Sequence, residues 1–320
     1  MDIELLTVGR ISVDLYAEQL NVPLKDVQSF RKSIGGTATN VAVATARLGH
    51  HAALVTRVGN DPMGRYIRHA LEDTFKVDTR YVQTDPNLRT PLAFATMEDP
   101  AEPTVDFYRA PQAPDMMILP TDVDRTVVEE VRIFWFPASR FAFEPSRSTM
   151  REMLGWRQRS QHTVLDLDWR PAFWPDAAAA RAEISPAIDH ATIVIGNRTE
   201  CEIALGVSDP ELAADALISR GVTSAVIKMG GDGVLIATAH GDREHIPPYP
   251  VNALSGLGAG DAFGGAFCHG LLSEWTIADC ARAGNAAGAI VAARLMCADD
   301  MPHLSDIELV LAQGSVPEGI

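Results

Sequence analysis

Short, nearly continuous apolar runs punctuate the chain at Leu5–Val8, Ala53–Val55, Ile133–Phe136, Val164–Leu167, Thr192–Ile195, Ala225–Ile227 and Val234–Ile236. Most are followed by a polar or glycine-bearing turn and then by residues at helical spacing; Thr39–Leu48, closed by Gly49, and Ala262–Leu272 are examples. Apolar strands separated by helices predict an α/β protein whose mostly parallel sheet is covered on both faces. In open sheets of this kind ligands bind beyond the carboxyl ends of the strands, so the chemistry is expected there.

Two stretches break the rhythm, from Ile11 to about Ser33 and from about Leu88 to Ile118. They have few helical faces and contain strand-like pieces, among them Leu92–Thr96 and Thr104–Tyr108. A small β-sheet inserted between the early βα units is expected, placed to act as a lid. No repeat, low-complexity tract or linker divides the chain, so a single domain over 1–320 with this lid is the expected organisation.

Composition narrows the partners. Hydrophobic residues make up 47% and charged residues 22% of the 320 residues, which supports a packed core and excludes whole-chain disorder. A formal net charge of −15 repels nucleic acid phosphates and anionic membrane surfaces, and neither partner is expected. An anionic ligand would therefore have to be met by local cations, backbone N–H groups or a metal. The cysteines Cys201, Cys268, Cys280 and Cys297 form no CxxC pair and have no histidine at ligand spacing. All four fall in helix-like segments and read as buried free thiols of a reducing compartment. Residues 1–10 lack the basic start and apolar stretch of a secretion signal, and no run of about eighteen apolar residues occurs, so a cytoplasmic protein is expected.

The most informative segment is Ser255-Gly256-Leu257-Gly258-Ala259-Gly260-Asp261, which opens the helix containing Ala262–Leu272. Glycines at a helix start let backbone N–H groups approach a phosphate, where the helix dipole favours negative charge. Asp261 in the first turn is either a residue that satisfies the dipole or a general base taking a hydroxyl proton beside a phosphoryl group. Gly35-Gly36, ahead of Thr37-Ala38-Thr39-Asn40, puts amides and a polar side chain at another helix start; a plain turn with an N-cap is the ordinary alternative. Lys228-Met229-Gly230-Gly231-Asp232-Gly233 lies between two apolar runs and has hairpin-turn chemistry. It lacks Walker P-loop spacing, and no GxGxxG follows the first strand, which argues against a nicotinamide dehydrogenase.

Taken together, Gly35-Gly36 with Asn40, the Arg57–Gly64 run, Asn197-Arg198-Thr199-Glu200, Lys228–Gly233 and Gly258–Asp261 resemble, in order and spacing, the ribokinase-like carbohydrate kinases over essentially the whole chain. The resemblance implies a three-layer α/β/α Rossmann-like core with a small inserted β-sheet lid, and transfer of the ATP γ-phosphoryl group to a primary sugar hydroxyl. It makes Asp261 the base and the amides of Gly258, Ala259 and Gly260 the anion hole. Asn197 and Glu200 match an element that organises Mg²⁺ largely through water. Lys228, Gly230 and Gly233 would run along the nucleotide and Asn285 would lie near the adenine, while Asp14, Gly35, Gly36 and Asn40 would hold sugar hydroxyls. A monovalent cation such as potassium is common near the family's anion hole; here Ser255 and Gly256 stand where many relatives carry Asp-Thr.

A narrower resemblance rests on Asp14-Leu15-Tyr16, Ser29–Lys32, Phe107-Tyr108-Arg109, Leu165–Pro171 with Trp174, Glu200-Cys201-Glu202 and Cys297–Asp299 followed by Met301-Pro302. These look like the branch of the family that acts on a keto-deoxy sugar acid in myo-inositol catabolism. The implied substrate is 5-dehydro-2-deoxygluconate, phosphorylated at its terminal hydroxyl; 2-keto-3-deoxygluconate and a non-catalytic sugar or nucleotide sensor are the alternatives. In so acidic a chain, arginines at strand or lid ends are candidates for a carboxylate clamp. Arg109 and Arg170 are the candidates, with Lys32 in support, against the ordinary reading of each as an ion pair, especially Arg170 with Asp166 or Asp168. Asp166 and Asp168 are expected to point to opposite faces and not to share one site. Trp169 and Trp174 read as packing, and His50 and His51 as structural or solvent-facing. The expected partners are a small sugar acid and ATP, with an exposed lid edge that makes a lid-to-lid homodimer plausible.

Overall fold

The computed structural model describes residues 2–98 and 103–317. The apolar runs become strands β1 (Leu5–Val8), β4 (Ala52–Gly59), β8 (Ile133–Pro137), β9 (His162–Asp166), β10 (Ile193–Asn197), β11 (Ser224–Lys228) and β12 (Val234–Thr238). With β5 (Val82–Asp85) and β13 (Arg243–Ile246) they form a nine-stranded sheet in the order β13-β12-β11-β10-β9-β8-β1-β4-β5. It is parallel from β11 to β5; β12 pairs antiparallel with β11, and the edge strand β13 pairs antiparallel with β12.

Alternation along each strand divides the core in two. Leu5, Leu54, Ile133 and Trp135 face a layer built from α1 (Thr37–Arg47), α2 (Pro62–His69), α8 (Ala259–Leu272), α9 (Ile277–Ala292) and α10 (Leu304–Gln313). Leu6, Val55, Phe134 and Phe136 face the other layer, with α3 (Arg125–Glu130), α4 (Ser146–Arg157), α5 (Ala177–Ile188), α6 (Arg198–Leu205) and α7 (Pro210–Ser219). The result is the three-layer α/β/α architecture that the sequence pattern predicts. No described helix is long and apolar enough to cross a membrane.

The two irregular stretches build a second, four-stranded sheet, β3-β2-β6-β7, from β2 (Ser12–Ala17), β3 (Phe30–Gly35), β6 (Leu92–Thr96) and β7 (Thr104–Tyr108). β2 pairs antiparallel with β3 and parallel with β6, and β6 pairs antiparallel with β7. Part of the second irregular stretch, 99–102, falls outside the described residues.

Several elements differ from the sequence reading. Helix α1 starts at Thr37, two residues earlier than the apolar periodicity indicates, because the tight Gly36 backbone (φ +108) launches it directly. Cys297 lies beyond α9 and outside any α-helix; all four thiols are free and buried. The edge strand β13 is polar and exposed or partly buried over Arg243–His245 and apolar only at the buried Ile246, so it carries no apolar run to signal it.

Candidate active site

The carboxyl ends of the central strands meet the first turn of α8. Gly258 caps that helix with φ +77, and the first helical hydrogen bond runs from Ala262 N–H to the Gly258 carbonyl at 2.8 Å. The N–H groups of Gly258, Ala259 and Gly260 precede it and have no acceptor within the helix. A side chain at Gly258 would come within 2.7 Å of Cys297 Sγ, so the close backbone approach as well as the positive φ requires glycine.

Two cavities flank this turn. One, of about 370 Å³, is lined by Ala259 and Gly260 together with Lys228, Gly230, Gly233 and Asn285. The other, of about 240 Å³, is lined by Gly258 and Asp261 together with Arg10, Ser12, Asp14, Gly36, Thr37, Asn40 and Arg170, and by Pro103, Val105 and Phe107 at and beside β7. The small sheet thus supplies one wall of the second cavity.

In that second cavity Asp261 accepts a 2.7 Å hydrogen bond from Asn40 Nδ2, while Asn40 Oδ1 is buried without a partner. Burial pushes the Asp261 carboxyl up to about 6, against the opposing pull of the Asn40 hydrogen bond and Arg170. Asp14 accepts from Ser12 Oγ at 2.6 Å and from Tyr16 OH at 3.4 Å, and burial raises its pKa as well. The glycine pair has two separate causes. A side chain at Gly35 would collide with the Asp14 carboxylate at 1.8 Å, and one at Gly36 would meet the Arg10 carbonyl at 2.4 Å.

The structure brings Arg170 to this cavity, with Nη2 3.0 Å from Asp168 Oδ1; its side chain remains 41% exposed. Clamp candidate and ion pair are therefore the same residue. Arg109 and Lys32 are not brought to the cavity wall. Arg109 Nη2 lies 2.6 Å from the buried Asp115 and its guanidinium packs over Phe173, 5.1 Å from the ring centre. Lys32 pairs with Leu15 in the register that pairs Ser33 with Asp14, so it projects from the opposite face of the small sheet, where its ammonium sits 3.6 Å from the centre of the Tyr66 ring.

Asp166 and Asp168 share one site, against the expectation, which misjudged the strand period: residues two apart on a strand lie on the same face. Strand β9 ends at Asp166, and Asp168 takes φ +27, turning its N–H to within 3.3 Å of Asp166 Oδ1. The two belong to one electrostatic cluster. Burial raises the Asp166 pKa, with Glu200, Asp168 and Asp261 adding to the rise against Lys228. Burial acts on Asp168 in the same sense, but Arg170, Arg10 and the hydroxyls of Ser139 and Thr37 overcome it and hold the carboxyl low. Arg10, immediately beyond β1, escaped the sequence reading. Its place after the first strand of a parallel sheet was the available signal.

On the other side of the α8 turn, burial works against the Lys228 ammonium, and Asp166, Glu200 and Asp261 overcome it. A side-chain carbon at Gly260 would lie 3.3 Å from Lys228 Nζ, which places the cation over the helix start. Lys228–Gly233 is the β11–β12 hairpin turn and at the same time a wall of the larger cavity. Asn285 Nδ2 donates to the Pro247 carbonyl at 2.8 Å. Asn197 and Glu200 form a reciprocal cap of α6: Asn197 Oδ1 accepts from Glu200 N at 2.9 Å, and Glu200 Oε2 accepts from Asn197 N at 2.7 Å. Glu200 Oε1 faces Trp169 N at 3.4 Å. Among the described residues no group of three His, Cys, Asp or Glu side chains is arranged to hold a metal ion. Ser255 is buried, with Oγ accepting from Leu257 N at 3.1 Å.

A polar carboxylate at a helix start between two cavities, on this sheet, is the arrangement of a ribokinase-like phosphotransferase. The pfkB family carbohydrate kinase pattern matches residues 2–304, and the chain belongs to that family; it is a carbohydrate kinase. Among curated proteins it is 30% identical over 317 residues to 5-dehydro-2-deoxygluconokinase of Geobacillus kaustophilus, covering 97% of this chain and 94% of that one. It is 29% identical to 5-dehydro-2-deoxygluconokinase 1 of Bacillus cereus, covering 95% and 93%. Among solved structures, a putative ribokinase II from E. coli superposes with a TM-score of 0.87 at 21% identity, over 97% of this chain and 99% of that one. Aminoimidazole riboside kinase from Salmonella enterica, complexed with aminoimidazole riboside and an ATP analogue, gives 0.81 at 25% identity over 96% and 99%.

Proposed function

We propose that the protein transfers the γ-phosphoryl group of ATP to the terminal hydroxyl of a keto-deoxy sugar acid, with 5-dehydro-2-deoxygluconate as the substrate and its 6-phosphate as the product. The observation that carries the reading is the α8 first turn, with Asp261 facing the polar cavity and free amides and Lys228 on the apolar side. The relatives named above support the choice of sugar.

In this reaction the sugar oxygen forms a bond to the γ-phosphorus, the bond to the ADP oxygen breaks, and the hydroxyl proton passes to Asp261. The amides of Gly258, Ala259 and Gly260 meet the charge that develops on the transferring group. Asn40 orients the Asp261 carboxylate, and Asp14 with Asn40 and the Gly35-Gly36 backbone grips the sugar hydroxyls. Arg170, beside Asp261, meets the acid group. Lys228, Gly230, Gly233 and Asn285 line the nucleotide's path. Magnesium bound with the nucleotide would supply neutralisation of phosphate charge. Glu200, whose oxygens already accept backbone N–H groups, and Asn197 fit outer contacts to such a hydrated ion rather than direct ligation. The small sheet acts as a lid that excludes water from the sugar cavity.

The test is ADP release with ATP, Mg²⁺ and potassium, comparing 5-dehydro-2-deoxygluconate, 2-keto-3-deoxygluconate, fructose and ribose. The highest kcat/KM is expected for the first. Preference for the second moves the enzyme to a neighbouring branch, and no turnover with any sugar overturns the catalytic reading in favour of a sensor.

A further inference from the structure

Four arginines gather at and behind the sugar-side cavity. Arg10, Arg109, Arg140 and Arg170 converge on Asp115 and Asp168. Arg109 takes the Asp115 carboxylate at 2.6 Å, and the other Asp115 oxygen accepts from Ile11 N at 3.0 Å. Arg140 reaches Asp115 only at its backbone carbonyl, 2.7 Å away. The remaining cavity carboxylates, Asp14 and Asp261, are tied to Ser12 and Asn40.

The hydrogen bonding is incomplete in the same place. The Nε–H groups of Arg10, Arg109 and Arg140 are all buried and have no partner. Leaving a buried donor unpaired is unfavourable, and more so when the group is charged. Among the described residues the chain offers these donors no acceptor, and only a group on the cavity wall can meet one in a ligand.

Of the three, Arg10 alone lines the cavity. It is 5% exposed, its guanidinium lies 5.8 Å from the Phe107 ring centre and 5.1 Å from that of Phe173, and Nη2 donates to Thr37 Oγ1 at 2.9 Å. Its contact with Asp168 is long, 3.5 Å. The group is thus held by aromatic rings and a hydroxyl and keeps donors in hand. A planar guanidinium held in this way suits the two oxygens of a carboxylate.

We infer that Arg10 is the specificity-determining ligand for the substrate's carboxylate, with Arg109 and Arg140 behind it as positioning residues that sustain the local positive charge. This rests on the acid-sugar reading and assigns its selectivity to a residue other than Arg170. A purely structural Arg10, serving only to hold Asp168 and Thr37, would affect all substrates alike.

The experiment compares 5-dehydro-2-deoxygluconate with the neutral sugar in which its carboxylate is reduced to an alcohol, using the wild-type chain, Arg10→Met and Arg10→Gln. ADP binding by calorimetry selects variants that have kept the fold; Arg10→Gln retains a polar contact toward Thr37 and serves where Arg10→Met fails to fold. The wild type is expected to prefer the acid. In the variants KM for the acid should rise roughly 10- to 100-fold, with a much smaller change for the neutral sugar and little change in kcat. A wild type that prefers the acid and variants that keep that preference would overturn the role of Arg10 and leave the acid-sugar reading intact. A wild type that prefers the neutral sugar would overturn the acid-sugar reading itself, and the Arg10 assignment with it.

Discussion

The two cavities on either side of the α8 turn are built by opposite means. The larger is walled by glycine, alanine and aromatic surface, including Gly230, Gly233, Tyr249, Ala253, Phe263, Gly288 and Ala292, with Lys228 as its cation. The smaller is crowded with charge: Arg10, Asp14, Arg170 and Asp261 on its wall, and Asp168 buried behind. A flat, apolar ligand part needs shape and close backbone approach, which small residues provide at little desolvation cost. A small polyhydroxy acid needs directed donors and acceptors, and each buried one must be matched when the ligand binds. Substitutions should therefore act differently on the two sides: through reaction and substrate choice on the charged side, through modest loss of nucleotide affinity on the apolar side.

The largest effect is expected at the junction. Asp261→Asn removes the proposed base while leaving an acceptor for Asn40, and kcat should fall by about 10³-fold or more with ADP affinity nearly unchanged. The pH profile sharpens this. A base raised to about 6 must be ionised to work, so kcat/KM should rise with pH through about 6 and level off above it. Stability has the opposite sign. Because the folded-state pKa lies above the ordinary 3.8, the unfolded chain loses this proton first as pH increases; the contribution is full below 3.8 and is lost as pH rises through about 6. Asp261→Asn should accordingly raise Tm at pH 7.5 and flatten its pH dependence over that window. Near-normal turnover in the variant, or an unchanged Tm–pH curve, would remove the buried-base assignment.

Lys228→Met comes next. This ammonium stands among Asp166, Glu200 and Asp261, so its loss leaves buried carboxylates with less opposing charge as well as removing a contact to phosphate. A fall in kcat/KM for ATP of roughly 10- to 100-fold with a lower Tm is expected, and unaltered ATP kinetics would argue against any place for Lys228 beside the nucleotide.

What the sequence revealed, and what it hid, follows the same division between backbone and side chain. Gly258–Asp261 and Gly35-Gly36 were legible because clustered glycines ahead of a helical pattern mark a close backbone approach even before its partners are known, and the strands because a sheet covered on both faces must be apolar throughout. Arg10 was not legible, since its importance comes from residues far along the chain, Asp168, Phe107 and Phe173, that only the fold assembles. The separation of Asp166 from Asp168 failed because a period of two puts residues i and i+2 on one face, and neither the end of β9 at Asp166 nor the positive φ of Asp168 parts them. Arg109 and Lys32 were reasonable by charge alone, yet Asp115 and Tyr66 occupy them, and no pattern in the sequence announces a partner brought in by packing.

On the charged side, Arg170→Ala should raise KM for a sugar acid by roughly tenfold. The effect should be smaller than for Arg10 because Arg170 is 41% exposed and already shares Asp168. Water can replace part of what it gives up. Removing it also frees Asp168, whose low pKa depends on Arg170 and Arg10 against the cost of burial. A modest drop in Tm should accompany the kinetic change, and a KM that is unchanged for the acid would take Arg170 out of substrate recognition.

The smallest effect belongs to the apolar side. Asn285 lines the larger cavity, but its amide nitrogen is committed to the Pro247 carbonyl at 2.8 Å, so its direct contribution to a bound base is limited to what its remaining groups reach. Asn285→Ala is expected to raise KM for ATP only about two- to fivefold, the value of one neutral hydrogen bond, with kcat and the sugar KM unchanged. Because Asn285 also anchors the segment around Pro247 and Tyr249, a loss of affinity through loosening of that wall should weaken ADP and ATP alike. A change that instead lowered kcat for the sugar acid would mean that the two cavities are coupled through α9, and the contrast between a wall that recognises by shape and one that recognises by charge would have to be replaced by a single cooperative site.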